Sequence, residues 1–379
     1  MSIKWYFILP VIIITSCVKE FDPKLDKFED ILVVDGMITN EQGPYIIKLS
    51  IASNTNLTKS TPVSNAKVTI ISQSGEKEKL TEYAPGEYRT DKNGIRGKVG
   101  EKYKLSIKTS QRILYESKYS ELREPTGINT IESKVEYHRS ETSNIQTVGY
   151  QFNVTTNKAY YDNNYFLWFL EGTYKIKTIY PIKYAYAGYY RKVKNADTLH
   201  ICYATYNINE VYTASTEGLS SNRIIKQPLT FIPGDDKKLE ERYSLLVKQY
   251  SIDEDAYIFW KNIEKQSSSG SSLYTAQPFQ IKGNIKNIYN KNEPVLGYFL
   301  VAGVSKKRIF VNRPPEMTYQ EECQIETYKV SDFLRFSSPA EWPIYLTPSD
   351  SGLGMAFGTC IDCTAAEGST TKKPYFWTD

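Results

Sequence analysis

The strongest constraint on the fold is a repetition of short apolar segments separated by turn signals. Ile31–Ile38 is apolar and β-branched, Tyr45–Ile51 alternates in period two, and Tyr103–Lys108 alternates in the same way. Residues of this kind, alternating over a few positions, fit a half-buried strand. Several such segments at roughly ten-residue spacing predict a small β-sandwich of immunoglobulin-like type. We place this sandwich at residues 30–123.

The chain after residue 123 continues the strand pattern. Tyr161–Leu170 is aromatic and apolar, and Tyr243–Tyr250 is another good strand. The sequence contains 31 tyrosines and 15 phenylalanines, and aromatic side chains pack well on pleated, half-exposed surfaces. We therefore predict a mainly β fold, in which a larger β-rich domain, residues 124–379, follows the sandwich.

One helix is predicted within this second domain, at about residues 252–266. Ser251 and Glu254 have the spacing of a capping box, in which each side chain satisfies a backbone amide of the other residue. The residues that then share one helical face are Ala256, Trp260 and Ile263. We expect this face to pack on the protein's own sheet; docking to a partner is the alternative.

The N-terminus combines an apolar segment with a cysteine. A basic residue, Lys4, precedes an apolar run of about ten residues, which is half the length that a membrane span requires. The string Ile-Thr-Ser-Cys then ends at Cys17 and resembles a bacterial lipobox. We expect residues 1–16 to be a lipoprotein signal peptide and Cys17 to carry acyl chains. The alternative is an ordinary signal peptide followed by a buried cysteine.

The residues after the lipobox are charged and include Pro23, so we interpret residues 17–29 as a lipidated tether. Its string Val-Lys-Glu-Phe-Asp, starting at Val18, resembles the surface-export signal of Bacteroidota lipoproteins. A plain solvated tether explains the same residues equally well. The sequence therefore predicts a protein held to a membrane by lipid.

Four cysteines remain when Cys17 is set aside, and an even number in an exported protein indicates disulfides. They are Cys202, Cys323, Cys360 and Cys363. Of the three possible pairings we prefer Cys202–Cys323 with Cys360–Cys363. The CxxC spacing of the last two cysteines also suits half of a zinc site or a redox pair. Glycine-rich flanks predict a C-terminal loop, whereas redox pairs usually open a helix.

No motif for nucleophilic, phosphate-binding or metalloprotease catalysis is present in the sequence. His138 and His200 are the only histidines, and a lone histidine in a β-rich chain is usually structural or exposed. Carboxylates at Asp235-Asp236 and at 253–255 could form a glycosidase pair, but the first of these more plausibly marks a turn. We expect a non-catalytic protein without metal or cofactor, and the net charge of +4 indicates no nucleic-acid partner.

A tyrosine-rich stretch is the candidate for an exposed contact surface. Its residues are Tyr184, Tyr186, Tyr189 and Tyr190. Aromatic anchors often dominate the binding energy of protein interfaces. The alternative is that these tyrosines pack in a core.

Seven short strings follow one another over nearly the whole mature chain, beginning at Val33, Gly43, Ala214, Tyr243, Glu293, Cys360 and Lys373. In this order they resemble an uncharacterised family of Bacteroidota outer-membrane lipoproteins, domain of unknown function 4249. The resemblance implies an outer-membrane lipoprotein, on the cell surface or on the periplasmic face, often encoded beside TonB-dependent receptors. It implies no activity and no active site.

Two functional classes fit these observations. The first is a non-catalytic accessory or binding component associated with a TonB-dependent outer-membrane transporter, acting in nutrient uptake. The second is a structural or assembly component of the outer envelope with no small-molecule ligand. A deep aromatic-lined cleft between the two domains would favour the first class, and a broad flat apolar surface would favour the second.

Overall fold

The structure is a computed structural model, and it describes part of the chain. The described residues are 31–52, 60–139, 146–194, 196–269, 281–314, 317, 323–329, 338–350 and 352–378. The expected signal peptide, Cys17 and the tether all lie outside them. Within the described residues the fold is mainly β, as the sequence predicts, with one α-helix, and that helix is too short and polar to cross a bilayer.

The strands are numbered in chain order. Those of the first half are β1 (Ile31–Thr39), β2 (Ile46–Ala52), β3 (Thr61–Pro62), β4 (Lys67–Ser72), β5 (Lys77–Lys79), β6 (Thr81–Ala84), β7 (Glu87–Arg89), β8 (Lys102–Lys108), β9 (Leu114–Ser117), β10 (Ser120–Glu121), β11 (Ile128–Arg139) and β12 (Gln146–Thr156). Those of the second half are β13 (Tyr165–Lys177), β14 (Tyr184–Tyr186), β15 (Tyr190–Lys192), β16 (Ile201–Ser215), β17 (Gln227–Pro233), β18 (Arg242–Ile252), β19 (Ile285–Asn287), β20 (Val295–Asn312), β21 (Glu326–Tyr328), β22 (Ile344–Ser349), β23 (Gly352–Met355) and β24 (Ser369–Thr370). Helix α1 (Glu254–Ser269) lies between β18 and β19.

One large sheet runs through both halves of the protein, in the order β24-β16-β13-β18-β20-β1-β2-β7-β6. Its continuity depends on β20, whose two parts have different partners. The first part, Val295–Ala302, pairs in parallel with β1. The second part, Gly303–Asn312, pairs antiparallel with β18. The two halves therefore share a strand and are not joined by a linker alone.

The N-terminal half is a two-layer sandwich, as predicted. A second sheet, β19-β9-β8-β4-β5, faces the β1 end of the large sheet. The core between the layers contains fully buried side chains from both sheets, including Val34, Ile47 and Phe299 on one side and Ile70 and Leu105 on the other. This alternation of buried and exposed positions along each strand is the period-two pattern that the sequence displays.

The sandwich extends beyond the boundary expected at residue 123. Strand β19 pairs with β9, and the first part of β20 pairs with β1, so two segments from the later part of the chain complete its two sheets. The reason is that strand pairing across 160 or more positions depends on tertiary contacts, whereas periodicity reports only local structure.

A second core lies between the large sheet and a three-stranded sheet, β11-β12-β17. Trp168 on β13 is fully buried there, and its Nε1 donates to Gln249 Oε1 at 2.9 Å. Gln249 Nε2 donates in turn to Thr126 O at 2.7 Å, and Thr126 N donates to Ser251 Oγ at 3.0 Å. These contacts attach the segment between the two halves to β18.

Helix α1 lies on the opposite face of the large sheet and confirms the predicted helix. Trp260 packs edge-to-face on Phe169 with ring centroids 5.3 Å apart, and Ala256 is buried in the same apolar cluster. The predicted capping box is wrong. Asp253 is the cap, because its Oδ1 accepts a hydrogen bond from Ala256 N at 2.9 Å. Ser251 belongs to β18, and its hydroxyl accepts a hydrogen bond from Thr126 N.

The same face of the large sheet carries a charged cluster of side chains from β13, β18 and β20. The Glu171 carboxylate contacts Lys248 Nζ at 3.0 Å and Arg308 Nη2 at 3.2 Å. The Arg308 guanidinium lies 3.5 Å from the centre of the Phe376 ring. Burial raises the pKa of Glu171, but its hydrogen bonds and charge interactions with both cations outweigh burial and hold the pKa below its usual value.

Candidate functional site

A small sheet near the C-terminus contains the predicted tyrosine surface. Its strand order is β15-β14-β22-β23-β21, and we call it the disulfide-linked sheet. Strands β14 and β15 form a hairpin in which Tyr186 pairs with Tyr190. Gly188 in the turn has φ +80°, a conformation that favours glycine, and a Cβ there would lie 3.2 Å from the Trp342 ring. The turn therefore brings the hairpin close to Trp342.

The disulfides differ from the preferred pairing, which is wrong. Cys202 is bonded to Cys363, and Cys323 is bonded to Cys360. Cys360 ends one 3₁₀ turn, Gly358–Cys360, and Cys363 begins the next, Cys363–Ala365. Because of this, Cys363 is buried against β16 whereas Cys360 packs in a separate cluster with Ile182.

One bridge attaches the C-terminal turns to the large sheet, and the other joins two segments that flank strands β21 and β23 of the disulfide-linked sheet. Cys202 lies on β16, so its bond fixes the C-terminal turns to the edge of that sheet. Tyr180 adds two hydrogen bonds around the other bridge, from its N to Cys360 O at 3.0 Å and from its hydroxyl to Cys323 O at 2.9 Å. The hairpin is therefore paired with a sheet whose neighbouring segments are joined by disulfides.

The four tyrosines of the predicted contact surface differ in how far their side chains are exposed. Tyr186 is 3% exposed and packs against Tyr190 and Trp342, with ring centroids 5.0 and 5.8 Å away. The expectation that Tyr186 is exposed is therefore wrong. Tyr184 and Tyr190 are half-buried, and Tyr189 in the turn is 65% exposed. The reason is that Tyr184, Tyr186 and Tyr190 all belong to the apolar cluster around Trp342, whereas Tyr189 lies in the turn outside it.

Other exposed apolar residues near the hairpin were not found from the sequence. Ile179 and Phe357 are exposed, and both lie beside the Cys323–Cys360 bridge. Tyr180 donates to Cys360 O, and Cys360 N donates to Phe357 O at 3.2 Å. Neither residue belongs to a periodic segment, and these backbone hydrogen bonds, which join segments far apart in the chain, place them near each other.

The outer strand of the hairpin, β15, carries positive charge. Arg191 and Lys192 on β15 are exposed, as is Lys183 before β14. Burial raises the pKa of the nearby Tyr345, Asp362 raises it further, and Arg191 opposes the shift. The candidate contact surface consists of Tyr189 in the turn and the two exposed cations of the following strand, Arg191 and Lys192. The hairpin that carries them packs its other tyrosines against Trp342.

The histidines occupy structural positions. His200 Nδ1 lies 2.6 Å from Thr178 Oγ1. The His138 ring stacks on Phe231 with centroids 3.9 Å apart.

The carboxylates singled out by sequence also have structural partners. Asp236 accepts from Lys238 N at 2.9 Å and caps a short turn, and Asp253 caps α1. Among the described residues, no group of three or more histidine, cysteine, aspartate or glutamate side chains could hold a metal ion.

The fold defines a mainly β protein with one sheet through both halves and a cross-linked C-terminal extension. The chain belongs to the family described as Domain of unknown function (DUF4249), whose model matches residues 18–308. No curated protein matches the chain. The β14–β15 hairpin lies within the matched residues, whereas Trp342 and three of the four bonded cysteines lie after them.

Proposed function

We propose that this protein is an outer-membrane lipoprotein, anchored through Cys17, that acts as a non-catalytic accessory or binding component of a TonB-dependent transporter in nutrient uptake. The observation that carries the proposal is the contact surface at Tyr189. It presents an exposed aromatic side chain, followed by the exposed cations of β15, on a hairpin of the disulfide-linked sheet. The Ile-Thr-Ser-Cys string supports the anchor.

A rigid base makes a small contact surface effective. Binding normally orders side chains and loops at a cost in free energy, and a surface that is already ordered avoids part of that cost. The packing of Tyr186 against Tyr190 and Trp342 restricts the hairpin before any partner arrives. Tyr189 can therefore act as an anchor, the residue type that often dominates interface energies.

The lipid anchor reduces the affinity that such a surface needs. Two or more acyl chains give stable attachment to a bilayer. A protein and a transporter that share one membrane meet at a raised effective concentration. A contact centred on one exposed tyrosine can then be modest in affinity and still be occupied.

Site-specific crosslinking tests the partner. A photoreactive amino acid replaces Tyr189 in intact cells, and the same amino acid replaces Tyr83, an exposed tyrosine of the sandwich, as a matched control. We expect position 189 to capture a β-barrel transporter and position 83 to capture none. Capture of other envelope proteins alone, with no transporter, would contradict the proposal and favour a structural or assembly component.

The anchor is tested separately by mass spectrometry and fractionation. The mature N-terminus should be an acylated Cys17, and Cys17→Ala should release the protein from the membrane fraction. A mature chain that begins at another residue, or a Cys17→Ala protein that remains membrane-bound, would contradict the anchor.

A further inference from the structure

The strand register shows what lies beside the first described residue of the sandwich. Leu32, the residue after Ile31, pairs with Val295. The loop between β19 and β20, residues 288–294, leads directly into Val295. Ile31 and this loop therefore lie at the same end of the sandwich. We call it the tether end, because the predicted tether, residues 17–29, precedes Ile31 in the sequence.

The loop at the tether end presents two apolar side chains to solvent. Ile288 is 44% exposed and Tyr289 is 73% exposed. Asn287 Oδ1 accepts hydrogen bonds from Tyr289 N at 2.8 Å and from Asn290 N at 3.0 Å. Ile288 N donates to Leu114 O, at the start of β9, at 2.9 Å. These bonds fix the loop while both apolar side chains stay outside the core.

Exposed cations lie at the same end. Lys67 on β4 and Lys108 on β8 are cross-strand partners, and Lys108 also pairs with Leu114. Arg112 lies in the turn between β8 and β9, and Lys291 lies in the loop between β19 and β20. All four of these basic side chains are exposed. The tether end therefore combines positive charge with an exposed tyrosine and isoleucine.

Two carboxylates of this region are engaged within the fold. Glu293 Oε1 accepts from the Tyr115 hydroxyl at 2.5 Å, and Glu293 Oε2 accepts from Asn287 Nδ2 at 2.5 Å. Glu116 contacts Lys104 Nζ at 2.7 Å. None of the exposed cations of the tether end forms an ion pair with another residue that the structure describes. Their charge is therefore available to an anionic partner.

We propose that the tether end contacts the anionic surface of the bilayer that holds the anchor. The proposal rests on the lipid anchor of the proposed function. Residues 18–30, which separate Cys17 from Ile31, span at most about 45 Å when fully extended. The anchor thus keeps this end of the sandwich close to the bilayer. Tyrosine is enriched at membrane–water interfaces, and lysine and arginine are attracted to anionic lipids, so the exposed residues match this surface.

The contact orients the protein and does not replace the anchor. Each cation near an anionic surface strengthens binding about fivefold, and the attraction falls off within a Debye length of about 8 Å at physiological salt. A few cations and one tyrosine therefore give weak, salt-sensitive binding. Such binding is compatible with the release of Cys17→Ala from washed membranes, and it becomes effective once the anchor raises the local concentration.

Flotation with vesicles tests the surface without the anchor. The mature chain with Cys17→Ala is mixed with an excess of vesicles made of phosphatidylcholine alone or of equal parts phosphatidylcholine and phosphatidylglycerol. We expect binding to the anionic vesicles that high salt removes, and weaker binding to the neutral ones. Equal binding to both, or no binding to anionic vesicles at low salt, would overturn the proposal. Because this chain carries no lipid, the result depends on neither the anchor nor a transporter.

Variants test the residues. Arg112→Gln and Lys291→Gln should each weaken binding to anionic vesicles about fivefold, and Tyr289→Ser should weaken the part that high salt leaves. The matched controls are Lys102→Gln, an exposed lysine at the other end of β8, and Tyr160→Ser, an 80% exposed tyrosine of the second half. Both controls should bind as the parent chain does. Equal losses in controls and test variants, or no loss in any folded test variant, would overturn the proposal.

Crosslinking in intact cells distinguishes a membrane from a protein partner. A photoreactive amino acid replaces Tyr289 in the native, anchored protein, and the same amino acid replaces Tyr160 as the control. We expect position 289 to capture lipid, identified by the mass of the crosslinked peptide, and position 160 to capture none. Capture of a protein and no lipid at position 289 would overturn the proposal. A mature chain without acyl groups on Cys17 would instead refute the anchor, so the two failures are distinguishable.

Discussion

Gln249 connects three parts of the fold, so its replacement by leucine should destabilise the whole protein. The side chain is fully buried. Its Oε1 accepts from Trp168 Nε1 at 2.9 Å, and its Nε2 donates to Thr126 O at 2.7 Å. Leucine has a similar volume but can form neither bond. Gln249→Leu therefore leaves one buried donor and one buried acceptor without partners while changing the packing little.

The magnitude follows from those two groups. A buried polar group that loses its partner costs about 1–3 kcal/mol, so two such groups cost about 2–6 kcal/mol. Burial of leucine in place of an amide offsets part of this loss. We expect the free energy of unfolding to fall by about 2–4 kcal/mol in urea denaturation with intact disulfides. The matched control, Gln111→Leu at an exposed turn, should change it by less than about 0.5 kcal/mol.

A double-mutant cycle with Trp168→Phe isolates the hydrogen bond. Phenylalanine removes the donor that Gln249→Leu orphans, so the double variant should be less destabilised than the sum of the single variants, by about 1 kcal/mol. Hydrogen exchange at residues 124–127 should also become faster in Gln249→Leu. The view that this network attaches the two halves would be refuted by two results together. These are a loss in the free energy of unfolding below about 1 kcal/mol in Gln249→Leu and a coupling energy of zero between positions 168 and 249.

Three further predictions concern other parts of the fold. Peptide mapping without reduction should recover Cys202 linked to Cys363, and their joint replacement by alanine should lower stability by about 2–5 kcal/mol because the bond closes a long loop. Gly297→Ala should lower the free energy of unfolding by more than about 3 kcal/mol, since Gly297 has φ +87° and an added Cβ would lie 1.9 Å from the β1 backbone. The control is Gly75→Ala, where φ is +100° but the added Cβ meets no atom, so only the conformational cost of about 1 kcal/mol remains. The lowered pKa of Glu171 stabilises the fold above the ordinary glutamate pKa of about 4.3, and this contribution is lost as the pH falls through the lowered value; melting curves should show a smaller loss at acid pH in Glu171→Gln than in the native protein.

Local patterns were sufficient for the identity of most elements. The alternation from Ile31 onward predicts β1 and β2, because side chains on successive strand residues face opposite sides. The helical spacing of Ala256 and Trp260 predicts α1 and its buried face. Its cap was misassigned because Ser251 and Asp253 are both good capping residues, and only the length of β18 decides between them.

Local sequence patterns were enough to predict the mainly β fold and most strand and helix segments, and they also predict disulfides and an anchor at Cys17. The tertiary structure settled which segments meet. It divided β20 between two partners, bonded Cys202 to Cys363 and buried Tyr186 while exposing Tyr189. The physical reason is that periodicity and turn signals act over a few residues, whereas strand partners, cysteine partners and cavities depend on contacts between segments far apart in the chain.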